Sequence, residues 1–155
     1  MALVTPDGAV RQVADGLAFP NGMAVTADNA TLIVAESYGN KLTSFDIVDG
    51  GGLANRRTWA DTPGDHPDGI CLDDEGACWY GDVGNKRAVR VAEGGEVLET
   101  VQLDRGCFAC ALGGPNGRTL FIVAQEYGGA VSTGAGRRTG QIVTVEAPAP
   151  RAGWP

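Results

Sequence analysis

The sequence has few basic residues, no long apolar segment and little helical periodicity. Asp and Glu outnumber Lys and Arg by 19 to 12, giving a net charge of −7, so we expect neither nucleic acid nor an acidic membrane surface as a partner. No run approaches the roughly 18 apolar residues of a transmembrane helix. The N-terminus also lacks the pattern of a signal peptide. Together these absences predict a cytoplasmic protein.

Common catalytic motifs are missing as well. The chain contains no G-x-S-x-G, no H-E-x-x-H and no phosphate-binding Gly loop, so the serine hydrolase, zinc protease and nucleotide-binding classes have no support. His66 is the only histidine. It precedes a Pro-Asp pair and is a weak candidate for substrate binding, although a single histidine in a loop is more often simply solvated.

The cysteines do not predict a disulfide scaffold. There are only 4 in 155 residues, and we expect all of them to be reduced and packed. Cys71 and Cys78 flank a turn at 73–76 and could face each other across a hairpin. Cys107 and Cys110 form a C-x-x-C, but residues three apart on a strand face opposite sides. We therefore do not expect them to share a metal unless the strand bends.

A repeat of short apolar runs and Gly-containing turns is the strongest pattern present. Gly makes up 24 of the 155 residues, G-N-K recurs from Gly39 to Gly84 at a spacing of 45, and Y-G recurs from Tyr38 to Tyr127 at nearly twice that spacing. Short strands repeated at this period are typical of propeller blades.

The repeat predicts an all-β domain, 1–155, that is a partial β-propeller of about three to three and a half four-stranded antiparallel blades with essentially no helix. Residues 1–18 form the end of an incomplete blade, 19–148 form three blades, and 149–155 form a Pro-rich tail without a strand. Apolar runs that are nearly continuous predict strands buried on both faces. The predicted strands are 23–25, 31–35 and 41–47, then 70–72, 77–81 and 88–92, then 110–112, 119–124 and 141–145.

The tripeptide P-[ND]-G occurs at two kinds of position. Asp7 and Asn116 fall where hairpin turns are expected, and Asn or Asp before Gly is ordinary turn chemistry. Asn21 and Asp68 instead begin the innermost strand of successive units, so their oxygens are expected to converge on the blade axis, where a hard cation could bind. An ordinary turn is the alternative. Aligning Thr31 with Thr119 puts Ala109 at this position in the third unit.

A set of motifs resembles the C-terminal half of the regucalcin, senescence marker protein and gluconolactonase family. It comprises F-P-N-G-M-A-V at 19–25, T-L-I-V-A-E-S at 31–37, P-D-G-I-C-L-D-D-E-G-A-C-W-Y at 67–80 and C-A-L-G-G-P-N-G-R-T-L-F-I-V at 110–123. The resemblance implies a six-bladed propeller that binds a divalent metal and hydrolyses sugar lactones. It also implies Asn21 and Asp68 as metal ligands and Asp68 as the catalytic base.

The resemblance therefore predicts a metal-dependent sugar-lactone hydrolase of the gluconolactonase type, in a partial or truncated form. The cofactor implied is Ca²⁺, with Zn²⁺, Mg²⁺ or Mn²⁺ as alternatives, and the partner is a small sugar lactone. The alternative is a non-catalytic half-propeller, a binding or assembly module with a vestigial metal site. Half a propeller leaves apolar faces uncovered, which predicts self-association or a partner that supplies the missing blades. Glu36 and Asp82 are expected to be loop acids.

Overall fold

The computed structural model describes residues 1–128 and 138–154. Within those ranges the chain forms strands and one short 3₁₀ turn, Asp49–Gly51, and none of its helices could span a membrane. The strands are β1 (Ala2–Val4), β2 (Val10–Gln12), β3 (Pro20–Val25), β4 (Thr31–Glu36), β5 (Lys41–Val48), β6 (Gly52–Asp61), β7 (Pro67–Asp73), β8 (Cys78–Asp82), β9 (Arg87–Val91), β10 (Val97–Gln102), β11 (Gly106–Gly113), β12 (Thr119–Gln125), β13 (Gln141–Glu146) and β14 (Arg151–Ala152).

The strands form four antiparallel sheets that follow chain order. β1 and β2 pair as a hairpin, β3 to β6 form the first sheet, β7 to β10 with β14 form the second, and β11 to β13 form the third. The predicted all-β fold class is confirmed, and all nine predicted strands appear, most of them extended by one to four residues. Predicted segments at 129–137 and 155 lie outside the described residues. The blade count and domain boundaries stay predictions.

Two apolar clusters hold neighbouring sheets together. The first lies between the first and second sheets and includes Leu42 and Tyr80, while the second lies between the second and third sheets and includes Trp79 and Leu120. Trp79 and Tyr80 are consecutive on β8, so they point to opposite faces of its sheet. Both are almost fully buried. The apolar runs of β4 and β8 therefore do belong to strands that are buried on both faces. For the run 119–124 the prediction is wrong, because alternate residues of β12 are exposed on the face that does not pack against the second sheet.

The inner strands of the three sheets approach one another main chain to main chain. A Cβ on Gly22 of β3 would lie 2.4 Å from the Asp68 carbonyl oxygen, and a Cβ on Gly69 of β7 would lie 2.6 Å from the Ala109 Cβ. Neither glycine has a positive φ. The glycine of the P-N-G and P-D-G motifs is thus required for close approach, not for turn geometry, and this distinguishes these two motifs from the two that lie in hairpins.

We predict that Gly69→Ala destabilises the protein by about 1–3 kcal/mol, the usual cost of overpacking a well-packed contact. The new methyl group would collide with β11, whose backbone is fixed by its pairing with β12. Urea unfolding measures the change. Gly84→Ala is the matched control because its Cβ would meet nothing closer than 3.9 Å, and equal stabilities of the two variants would contradict the prediction.

Each inner strand carries an extra residue at the same place. The register shifts between Pro20 and Met23 in β3, between Pro67 and Ile70 in β7, and between Cys107 and Ala109 in β11. Such bulges redirect side chains at the start of a strand. They make Phe108 the counterpart of Asn21 and Asp68, so the alignment that chose Ala109 was wrong by one residue. The cause is the register of the β11–β12 hairpin: Leu120 pairs with Leu112, eight positions away, whereas the equivalent Leu32 pairs with Val25, seven positions away.

The C-terminal tail is ordered against the sheets, although the sequence predicted no strand there. Arg151 and Ala152 pair with Asp73 and Leu72 of β7, and Trp154 forms a bridge to Val25 of β3. The tail thus reaches the inner strands of the first two sheets at the end opposite to Asn21 and Asp68. Its position is set by backbone hydrogen bonds with these strands and turns, which composition does not report.

The cysteines are all free and buried, as predicted. Cys71 and Cys78 do not face each other: Cys71 lies opposite Trp79 and belongs to the second cluster, and Cys78 belongs to the first. Cys107 and Cys110 both belong to the second cluster, because the bulge at residue 108 cancels the expected alternation. Burial raises the pKa of the Cys107 thiol to about 12, and the side chain packs within the second cluster.

Candidate metal and substrate site

Asn21 and Asp68 lie at the same end of adjacent inner strands. Each occupies the bulge at the start of its strand, and the main chain of Gly22 packs directly on the carbonyl of Asp68. Asn21 is exposed and Asp68 is half-buried. Burial raises the pKa of the Asp68 carboxyl, which makes its carboxylate a stronger base than that of a solvated aspartate. That the two side chains share one ion stays a prediction.

The amide of Asn21 is oriented by Ser37. Its Nδ2 donates to the Ser37 Oγ at 3.4 Å, and that hydroxyl in turn donates to the Pro67 carbonyl at 2.7 Å. Since the nitrogen is engaged by Ser37, the Oδ1 is the atom that Asn21 can offer to a cation. A chain of two hydrogen bonds therefore connects Asn21 to the peptide group that precedes Asp68.

His66 lies beside these residues and is held in one orientation. Its Nδ1 is 2.9 Å from the Ser37 carbonyl oxygen. The Asn40 Nδ2 lies 3.2 Å from the same ring nitrogen, so contacts with two residues hold the imidazole in place. The ring packs edge-on against Tyr38, which stacks on Phe19 with ring centroids 4.5 Å apart. Tyr38 and Phe19 are exposed by 70% and 53%, so an aromatic surface borders the Asn21 end of the site.

Phe19 is also unusual in its backbone. It has a φ of 59°, a conformation that costs energy for a bulky side chain and needs support from its surroundings. Its carbonyl accepts from the Ser37 N–H at 3.2 Å, and the Ala18 carbonyl accepts from the Tyr38 N–H at the same distance. These bonds fix the turn that delivers Asn21 to the start of β3. Phe19 begins the F-P-N-G-M-A-V motif and Tyr38 begins a repeated Y-G pair, but neither motif indicates that the two rings stack, and only the fold brings them together.

Glu36 supports the same turn from the inside. The sequence predicted a loop acid, but Glu36 ends β4 and is 1% exposed. Its Oε2 accepts from the Ala18 N–H at 2.6 Å, and its Oε1 accepts from the Thr43 hydroxyl at 2.5 Å and from Arg56 at 3.1 Å. Burial alone would raise the pKa of Glu36, but these donors together with Lys41 lower it. The carboxylate stays ionised because its charge is paired.

In the second sheet, Asp82 and Asp65 likewise hold a neighbouring segment in place through hydrogen bonds and an ion pair. Asp82 was also predicted as a loop acid, but it ends β8, is fully buried, and accepts from the Asn85 side chain at 2.6 Å. Asp65 accepts from the Tyr80 hydroxyl at 2.6 Å and forms an ion pair with Arg87. Burial and the neighbouring Asp65 carboxylate raise the pKa of the Tyr80 phenol. This network holds the segment that leads into His66, and its members are too scattered in sequence to be predicted.

The other two P-[ND]-G motifs lie in turns, as expected. The Asp7 side chain accepts from the Thr5 hydroxyl within the exposed β1–β2 turn, and the Asn116 side chain accepts from the Arg118 N–H at 3.0 Å before β12. Each of these oxygens therefore stabilises the turn in which it lies. The two turn motifs can be compared with the two motifs at the inner strands, whose side chains do not close a turn.

The donors fit a hard divalent cation in type. An amide oxygen and a carboxylate are ligands that Ca²⁺ or Mg²⁺ prefers, and neither is a soft ligand. Within residues 1–128 and 138–154, however, no group of three or more His, Cys, Asp or Glu side chains is placed to hold a metal ion. Asn21 and Asp68 would thus be part of a ligand set, with the remaining oxygens supplied from elsewhere.

The sheets follow one another along the chain and pack together through their inner strands. This arrangement is that of a β-propeller. The chain belongs to the SMP-30/gluconolactonase/LRE-like family, whose model matches residues 1–126. The expected family resemblance is therefore confirmed.

Three comparisons illustrate the relationship. Regucalcin of Danio rerio is 30% identical over 128 residues, which are 79% of this chain and 43% of that protein. The structure of a gluconolactonase from Xanthomonas campestris is 30% identical, covers 79% of this chain and 40% of that one, and has a TM-score of 0.68. A calcium-binding regucalcin from Agrobacterium tumefaciens shares the fold, with 19% identity, a TM-score of 0.74 and coverage of 97% and 54%. The chain thus spans about half the length of these relatives.

Proposed function

We propose that this chain is a metal-dependent hydrolase of sugar lactones. The observation that carries the proposal is the placement of Asn21 and Asp68 at equivalent bulges of two inner strands whose main chains touch. The relationship to a gluconolactonase at 30% identity supports the reaction class. The calcium-binding regucalcin of the same fold supports Ca²⁺ as the metal, and so does the oxygen chemistry of the two side chains.

In this proposal the roles of the residues follow from their environments. A bound divalent ion would polarise the lactone carbonyl. Asn21, with its nitrogen engaged by Ser37, offers a neutral oxygen that leaves the charge of the cation undiminished. Asp68 takes the proton of the water that attacks the carbonyl carbon, and burial favours this because it raises the basicity of the carboxylate. The ring C–O bond then breaks, and the alkoxide leaving group recovers the proton.

The aromatic surface of Phe19, Tyr38 and His66 is the proposed wall of the substrate site. It lies next to Asn21, and its exposure leaves it free to contact a ligand. The imidazole nitrogens of His66 can donate to or accept from a sugar hydroxyl, depending on the tautomer. This assignment retains His66 as a substrate-binding candidate.

The test is to measure the hydrolysis of a gluconolactone by the purified chain, with the release of protons as the signal. We expect activity in the presence of Ca²⁺, loss of that activity with a chelator and its return when Ca²⁺ is added back. Parallel titrations with Mg²⁺, Mn²⁺ and Zn²⁺ identify the preferred metal. A folded chain that binds Ca²⁺ and hydrolyses no lactone would favour the non-catalytic alternative, and hydrolysis that is indifferent to chelation would contradict the metal requirement.

A further inference from the structure

Ser37 contacts the segments that lead into β3 and β7 at the candidate site. Its N–H donates to the Phe19 carbonyl at 3.2 Å, and its Oγ accepts from the Asn21 amide at 3.4 Å and donates to the Pro67 carbonyl at 2.7 Å. Its own carbonyl oxygen lies 2.9 Å from the His66 Nδ1. Ser37 is only 6% exposed. It therefore uses all of its polar groups between the P-N-G and P-D-G segments, away from bulk water.

The corresponding position between the second and third sheets has no such group. Val83 follows Asp82 as Ser37 follows Glu36, and it packs against Gly106, on which a Cβ would lie 3.0 Å from the Val83 Cγ1. The residue at the ligand position of the third sheet is Phe108, which has no side-chain oxygen. The Ser37 hydroxyl thus lies between the first and second sheets, which carry the two candidate ligands. Between the second and third sheets, which carry only one candidate ligand, the apolar side chain of Val83 takes its place.

We propose that Ser37 is a positioning residue that orients the Asn21 amide and the Pro67–Asp68 peptide toward a shared cation. The inference rests on the proposed metal site. Without the hydroxyl, the Asn21 amide can rotate and present its NH₂ group to the cation, and the Pro67 carbonyl loses its donor. Removing the outer partner of a metal ligand typically weakens metal binding by about 10- to 100-fold.

The first experiment is a calorimetric titration with CaCl₂ alone, which reports binding without catalysis. Ser37→Ala is expected to weaken Ca²⁺ binding by about 10- to 100-fold. Ser37→Thr restores the hydroxyl, and Val83 shows that a branched side chain fits the equivalent position, so most of the affinity should return. Ser44→Ala is the matched control: Ser44 is buried in the same sheet, and its Oγ has no hydrogen-bond partner among the described residues.

A second measurement needs no metal. In metal-free buffer, the side-chain amide of Asn21 can be followed by ¹H–¹⁵N NMR in the parent, Ser37→Ala and Ser44→Ala proteins. We expect Ser37→Ala alone to shift this resonance and speed its exchange with solvent, because the amide loses its acceptor. An unchanged Asn21 resonance would overturn the positioning role.

The two arms separate the possible failures. Ca²⁺ binding by Ser37→Ala that equals the parent's overturns the inference while leaving the metal site intact. If the parent binds no Ca²⁺, the proposed function fails, and the metal-free NMR result alone decides whether Ser37 orients Asn21. Melting temperatures of the three variants verify that each protein is folded.

Discussion

Asp68→Asn is expected to lower lactone hydrolysis by about 100-fold or more, the range associated with loss of a general base. The substitution keeps the shape of the side chain at the β7 bulge but removes both its negative charge and its ability to take a proton. Because the proposed ligand and base are the same carboxylate, Ca²⁺ affinity should fall together with the rate. Initial rates at saturating Ca²⁺ and a CaCl₂ titration measure the two effects.

Asp7→Asn is the matched control for this prediction. It makes the same chemical change in another P-D-G motif, and Asp7 lies in the exposed β1–β2 turn, where it accepts from Thr5. We expect parent activity and parent Ca²⁺ affinity. If Asp68→Asn hydrolyses lactone at the parent rate, the carboxylate has no catalytic part and Asp68 only shapes the strand entrance.

Sequence alone predicted the strands of the propeller well for a physical reason. Runs such as 31–35 and 77–81 lie in strands that are buried on both faces, so their apolar character is nearly continuous. The run 119–124 is equally apolar, although one of its faces is exposed. The outer strands β6 and β10 are more polar because most of their residues face solvent. Their periodicity is weak, and the sequence predicted four-stranded blades without placing these two strands.

Features that depend on main-chain geometry could not be predicted from the sequence. The bulge at Phe108 moved the ligand position by one residue and put Cys107 and Cys110 on the same face. Glu36 and Asp82 looked like loop acids because nothing near them in sequence indicates that main-chain donors and basic side chains would surround them. The described part of the tail, 149–154, pairs through backbone groups, which every residue carries, so its composition could not reveal a strand.

Only part of the candidate site could be predicted from the sequence. Asn21 and Asp68 share a repeat phase that can be read directly, and their two turn-forming counterparts, Asp7 and Asn116, could be separated by position in the unit. The reason for the glycine that follows each of them is a close approach between strands, which only coordinates show. Ser37 ends the T-L-I-V-A-E-S motif, but a serine at the end of a strand is common. Its contacts come from residues 16 to 30 positions away, which the motif does not indicate.

The second large effect concerns assembly. We expect the 155-residue chain to self-associate in solution, with a mass near 32 kDa, about twice its 16.0 kDa. One face of the third sheet packs on the second sheet, while Phe121, Val123 and Ile142 lie on the other face and are exposed by 39%, 47% and 72%. In a propeller such a face is covered by the next blade.

The proposed occupant of this face is a second copy of the chain. The chain covers 43% of a regucalcin and 54% of a regucalcin structure, so two copies approximate one complete ring. The β1–β2 hairpin at the other end of the chain presents Val4 and Val10, which pair with each other and are more than 60% exposed. A two-fold ring would bring this hairpin against the third sheet of the partner at two equivalent junctions.

Sedimentation velocity at micromolar concentration tests this assembly. Ile142→Lys places a charge at the centre of the exposed face and should give a folded monomer, and Val10→Lys should do the same from the hairpin. Val97→Lys is the control, because Val97 is 58% exposed on the outer strand β10, away from both proposed contact surfaces. A parent protein that sediments as a well-folded monomer would contradict the assembly.

Assembly and activity should change together. A two-fold ring would bring two copies of Asn21 and Asp68 around one axis, with up to four oxygen ligands, whereas one copy supplies two. Ile142 itself lies on the third sheet and outside the candidate site, yet Ile142→Lys should weaken Ca²⁺ binding and lactone hydrolysis in proportion to the loss of dimer. Full activity in a monomeric Ile142→Lys protein would show that one copy suffices, and that the remaining ligands are water or main-chain oxygens.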